Sequence, residues 1–159
     1  MIKMLVKVFR RLTLEEIEEQ IRSLERSYGM TFDEFEELFL TKNVDQRSVD
    51  DYFRWARLVH AYRGYVEGGE LDCVIEELRD LSSDELKAFT PKRLELLYTL
   101  SGLRVESIND LAQKVRRNVK NVYQDLQILR KLGFISFRKK GRRNFVPEAL
   151  VEEITFLMR

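Results

Sequence analysis

NVKNVYQDLQILRKLGFISFRKKGRRNFVP, residues 118–147, carries two periodicities and one charge bias. Val119, Val122, Leu126 and Leu129 recur at steps of three and four, the spacing of one helix face. Asn118 stands at the N-cap position and Gly133 just past the end, so the pattern predicts a helix between them. FISFR, KKGR and RNFV then read as a β-hairpin turning at Gly141. With the four aliphatic residues assigned to a core, Lys120, Asn121, Tyr123, Gln124 and Gln127 are left as the exposed side. From 116 to 143 there are ten Lys or Arg and one acid, Asp125.

Outward from this stretch, Thr90 with Pro91 starts a helix through Leu94, Leu97 and Leu100. The short LRV after Gly102 reads as a strand. Ser107 with Asp110 starts a compact helix containing Ile108, Leu111, Ala112 and Val115. Leu150, Val151, Ile154 and Leu157 predict a terminal amphipathic helix. Helix, strand, helix, short turn, helix, hairpin is the order of a winged helix-turn-helix, in which one helix fits the DNA major groove and a charged hairpin reaches an adjacent groove or the backbone.

On that expectation the DNA contacts come from Arg116, Arg117 and Asn118 at the turn, from Lys120, Asn121, Tyr123, Gln124 and Gln127 on the helix, and from Arg138, Lys139, Lys140, Arg142 and Arg143 in the wing. Asn121 and Gln124 carry the donor–acceptor pair that fits an adenine edge, and Lys120 and Tyr123 can meet bases or phosphate. Counterion release predicts a salt slope of roughly −0.9 per phosphate neutralised, so the wing supplies affinity more than sequence choice. Taken alone, a basic hairpin or an Arg-rich segment is an ordinary solvated surface. Their conjunction with helix-turn-helix periodicity is what points to DNA.

Residues 90–147, and above all RLELLYTL, INDLAQKV and VKNVYQDLQILRKLGFI followed by GRR and a proline, resemble the MarR-like predicted transcriptional regulators. The resemblance implies that Asn118 to Lys131 is the recognition helix and Phe134 to Val146 the wing. Members of that family often carry a glycine before the recognition helix and an acidic pair in its second half. Here Arg116 occupies the former place, while Gln127, Leu129 and Arg130 make the latter less acidic, implying a more basic face.

The first half reads differently. Residues 2–9 predict a strand, placed at a sheet edge and guarded by Lys3 and Lys7. Thr13 with Glu16, Thr31 with Glu34 and Ser48 with Asp51 repeat one helix-start signal three times. The first helix should stop near Gly29. The third is aromatic-rich, and Tyr52, Phe53, Trp55, Val59 and Tyr62, with Leu150, Ile154 and Leu157 near the C-terminus, are candidates for a dimer or partner interface. The alternative is a face covered by the same chain. Leu71, Val74, Ile75, Leu78 and Leu81 predict a further helix or the continuation of a bent one, and 82–90 a domain boundary. LERSYGMTFDEFEELF (24–39) followed by DDYFRWARLVHAY (50–62) resembles the helical region of small prokaryotic antitoxins. That likeness implies a toxin or a second subunit on the aromatic face.

The expected architecture is thus mainly α: an N-terminal helical module with one short strand (1–82) and a C-terminal winged helix-turn-helix (90–159). Charge divides along the chain. Residues 1–90 hold 13 Lys or Arg against 20 Asp or Glu, net −7, and residues 91–159 hold 15 against 7, net +8. A basic half attracts a polyanion and an acidic half repels one or attracts a basic protein. Cys73 is the sole cysteine, so no intrachain disulfide forms, and no Cys, His and carboxylate residues stand at metal-ligand spacing. His60 and Cys73 lie among apolar neighbours without a positioned base, and Gly68 and Gly69 lack the strand and lysine of a phosphate loop. MIKMLVKV is too short and too charged to span a membrane. The expectation is a cytoplasmic, non-enzymatic homodimer that regulates transcription on double-stranded DNA, with no cofactor. Two alternatives stand beside it: an antitoxin that holds a protein toxin through its first half, and a scaffold whose winged helix binds protein.

Overall fold

The computed structural model describes residues 3–42 and 45–158. β1 (Lys3–Arg11) leads into α1 (Leu14–Tyr28), α2 (Phe32–Thr41) and α3 (Gln46–Gly68). β2 (Val74–Ser82), the single turn α4 (Ser83–Leu86), α5 (Pro91–Gly102), α6 (Ile108–Lys114) and α7 (Val119–Lys131) follow, and β3 (Ile135–Lys140), β4 (Asn144–Ala149) and β5 (Val151–Phe156) complete the chain. The fold is therefore mainly α, with more strand than the periodicity suggested. Among the described residues no helix is long and apolar enough to cross a membrane.

Two compact units divide the chain, and not at 82–90: Leu12–Val74 forms one, and the chain up to Arg11 joins Ile75 onwards in the other. The reason is sheet pairing. β1 lies between β2 and β5 in a three-stranded sheet, so it is the central strand and not an edge. Net charge follows this division: Leu12–Val74 carries 7 Lys or Arg against 15 Asp or Glu, and the remainder 21 against 12.

Both of the strands that complete this sheet were expected as helices. In β2 the inward positions are Ile75, Glu77, Arg79 and Leu81, while Leu78 faces out with 63% of its surface exposed. Two charged residues on the inner face and an aliphatic one on the outer face conceal the two-residue period of a strand. In β5 the register against β1 runs Val8↔Ile154, Phe9↔Glu153, Arg10↔Val151, so Glu152 is an extra residue. This bulge puts Val151 and Ile154, three apart, on one face, which is helix-like spacing produced by a strand. The expected interface residues Leu150, Ile154 and Leu157 thus sit in or beside this sheet: Leu150 is buried, and Ile154 packs against the core. Leu103–Val105, expected as a strand, is irregular.

In the Leu12–Val74 unit, Thr13 with Glu16 and Thr31 with Glu34 form complete capping boxes, and Gly29 closes α1 in the left-handed region at φ 65°. α3 starts earlier than the Ser48 signal because Asp45 is its cap, accepting from the Ser48 N–H at 2.8 Å. The aromatic residues are mostly internal. Trp55 is fully buried, 5.2 Å from Phe35, 5.7 Å from Phe32 and 5.8 Å from Tyr28, ring centre to ring centre. Val59 is buried as well, and Tyr52 stacks on Phe39 at 4.1 Å. Of the candidate interface residues on α3, Phe53 and Tyr62 remain exposed.

In the other unit, Thr90 caps α5 with Pro91 in its first turn, Ser107 caps α6 and Asn118 caps α7. Leu96, Leu97 and Leu100 of α5, Leu111 and Ala112 of α6, and Val122, Leu126 and Leu129 of α7 converge on one core. Phe134, Ile135, Val146 and Ala149 close it from the hairpin, and Val6, Val8 and Leu81 from the sheet. β3 and β4 pair from Ile135↔Ala149 to Lys140↔Asn144 around Gly141, whose φ of 70° is the left-handed conformation such a turn demands.

Candidate nucleic-acid interface

Because Val122, Leu126 and Leu129 anchor α7 in the core, the opposite side of the helix is set outward. Lys120, Asn121, Tyr123 and Gln124 are exposed there. Gln127 is half-buried and donates from Nε2 to the Tyr123 hydroxyl at 2.7 Å. The Tyr123 ring in turn lies 6.5 Å from Phe137 of β3, over which Arg130 rests at 5.7 Å. Asn118 is exposed but employed: its Oδ1 accepts from the Lys120 N–H at 2.8 Å, capping the helix. Val119, expected in the core, is 42% exposed at the first position of α7. It lies one turn ahead of Val122 and lines an open groove with Ile108 and Asn109 of α6.

The turn between α6 and α7 separates the two arginines expected there. Arg116 is exposed with φ 55°, a left-handed backbone that glycine adopts without cost and a side chain resists. Arg117 points inward. Its Nη2 donates to Asp125 at 2.5 Å, Arg93 of α5 reaches the other oxygen of that carboxylate at 2.9 Å, and Arg117 Nη1 is buried without a partner. The one acid of the stretch therefore does not dilute the exposed face. It is consumed between two arginines: Arg93 ties α5 to α7, and Arg117 ties the preceding turn to α7.

In the hairpin the five expected cations fall into two groups. Arg138 donates to Glu148 at 2.6 Å, and Lys140 is paired with Glu106, whose carboxyl is held below its usual value first by that hydrogen bond and then by the lysine's charge. Lys139, Arg142 and Arg143 have no acidic partner among the described residues. Between the start of α6, the first turn of α7 and the base of this tip runs a groove of about 390 Å³ lined by Ile108, Val119, Lys120, Tyr123, Arg143 and Phe145, among others. Phe145, opposite Lys139 in the hairpin, is 47% exposed. Sequence reasoning missed Val119 and Phe145 because both fit an apolar alternation. Only the fact that a hairpin tip projects past the core could have marked Phe145 as exposed.

The segment that builds this face is similar to a known family. A family model described as HVO_A0114 matches residues 88–156, from the approach to α5 through β5. The match covers less than half of the chain and leaves out β1, β2 and α1 to α4. No curated protein matches the chain.

Proposed function

We propose that the chain is a sequence-specific, double-stranded DNA-binding transcriptional regulator that performs no catalysis. On this reading α5, α6 and α7 with the β3–β4 hairpin form a winged helix-turn-helix, α7 enters the major groove and the hairpin meets the backbone or an adjacent groove. One observation carries the proposal: the exposed polar side of α7 adjoins a hairpin tip whose Lys139, Arg142 and Arg143 are left without acidic partners. Arg138 and Lys140 of the same hairpin are instead paired with Glu148 and Glu106. The helix side supplies hydrogen-bonding groups for base edges, and the tip supplies charge for phosphate.

The test is a titration of the full-length protein against a fluorescent random-sequence duplex at several salt concentrations, read by anisotropy. Binding should weaken steeply with salt. No binding in about 50 mM salt, where even non-specific binders hold duplex, would sink the proposal. The scaffold reading predicts that outcome.

A homodimer in the cytoplasm completes the proposal, since helix-turn-helix proteins read paired half-sites. Exposed Phe53 and Tyr62 on α3 support a contact between copies. The acid excess of Leu12–Val74 favours the second reading, an antitoxin in which that unit holds a basic toxin while the other binds the operator. Co-purification with the product of an adjacent gene, lost on Phe53→Ala, would distinguish it.

A further inference from the structure

Val119, Tyr123 and Phe145 are 42%, 46% and 47% exposed, and with Ile108 they line one groove. None of the three belongs to the core of the unit. The charged residues of the groove are Lys120 and Arg143, and no carboxylate lines it. Ser107, Asn109 and Asn144 complete the lining, and a groove of apolar side chains and cations without an acid fits a ligand that is anionic along its edges and carries apolar groups within. Duplex DNA has that form in its major groove, where the phosphates border the bases and the one apolar group on the base edges is the thymine C5 methyl.

Position agrees with chemistry. Val119 and Lys120 are the first two residues of α7, and residues at the start of such a helix are the ones that reach base edges. The Tyr123 ring is already fixed by the Gln127 amide and by Phe137, so presenting it costs little ordering on binding. Those contacts also weigh against a platform for stacking single-stranded bases, because Phe137 occupies part of the ring's surroundings.

We infer that this groove is a thymine-reading subsite: Val119, Tyr123 and Phe145 take up C5 methyl groups in the major groove, while Lys120 and Arg143 hold the flanking phosphates. The inference rests on the proposed DNA binding and adds to it the base class that the face selects.

The experiment selects bound duplexes from a randomised library with the full-length protein, then replaces each thymine of the selected site by deoxyuridine, which removes only the methyl group. At one or two positions in each half-site the replacement should lower affinity about fourfold, the fold-change expected for withdrawing one buried apolar carbon. In Val119→Ala that penalty should shrink, while uracil at other positions behaves as in the wild type. A site that binds equally well with uracil at every position overturns the inference and leaves DNA binding intact. Selection that enriches only single strands, or an undiminished penalty in both Val119→Ala and Phe145→Ser, also overturns it. A library from which nothing is retained overturns both readings together.

Discussion

Arg10 donates through Nε to Glu77 Oε1 at 2.9 Å, from a position on β1 where the alternation of Val6 and Val8 calls for an apolar side chain. Arg79 holds the other oxygen of Glu77 at 2.9 Å, donates to the Leu132 carbonyl just past α7, and lies over the Phe134 ring at 5.1 Å. The middle of the sheet is thus joined to the end of the helix by a charged relay.

This relay sets an acid limit on stability. Burial alone would push the Glu77 carboxyl up, but the hydrogen bonds from Arg10 and then Arg79 outweigh it and hold the group below its usual value. A carboxylate whose folded value is depressed contributes stability above its unfolded value, roughly 4.3, and loses it as pH falls through the folded value. Urea unfolding of wild type and Glu77→Gln should therefore diverge at neutral pH and converge in acid. At neutral pH the variant should be about 3 kcal/mol less stable, since Arg10, 8% exposed, loses the carboxylate.

Asp125→Asn removes the charge that Arg93 and Arg117 share. All three side chains are less than one quarter exposed, so the cost should be about 2 kcal/mol in thermal or chemical unfolding, less than for a fully enclosed pair. Because Asp125 faces these arginines and not the solvent face, affinity of the folded protein for a random duplex should change by less than threefold.

Replacing Lys139, Arg142 and Arg143 with Gln should flatten the dependence of log affinity on log salt by roughly 0.9 for each phosphate that is no longer neutralised. Arg138→Gln should change the slope less, because its guanidinium already serves Glu148 at 2.6 Å. An equal effect from the two groups would remove the distinction between spoken-for and available charges.

Trp55→Ala should cost about 3–5 kcal/mol by opening a cavity among Tyr28, Phe32 and Phe35. Phe53→Ala, at a site 64% exposed, should leave monomer stability within about 0.5 kcal/mol. If α3 forms the contact between copies, sedimentation of Phe53→Ala should shift toward a 19.0 kDa species.

The sequence revealed elements whose local chemistry and burial agree. Thr13 with Glu16, Thr31 with Glu34, and Thr90 with Pro91 announce helices because capping depends on neighbours within one turn. The hairpin around Gly141 was legible for the same reason. β2 was not, because the partners that let Glu77 and Arg79 face inward are distant in the chain: Arg10 is 67 residues from Glu77 and Leu132 is 53 from Arg79. Nor was the placement of the turn arginines, since Arg116 and Arg117 differ only in which of them meets Asp125. The candidate face was therefore readable as a helix side with a basic tip, whereas the division between tied and untied cations needed the fold.

β1 and β2 are neighbours in one sheet, and at the root of the helical unit the Leu12 N–H donates to the Cys73 carbonyl at 2.9 Å. A passenger that departs and returns through adjoining strands can be excised at its stem, with a short connector closing the gap, and no strand of the host sheet need be lost. What is left would keep 21 basic residues against 12 acidic ones, a net charge of opposite sign to that of the part removed.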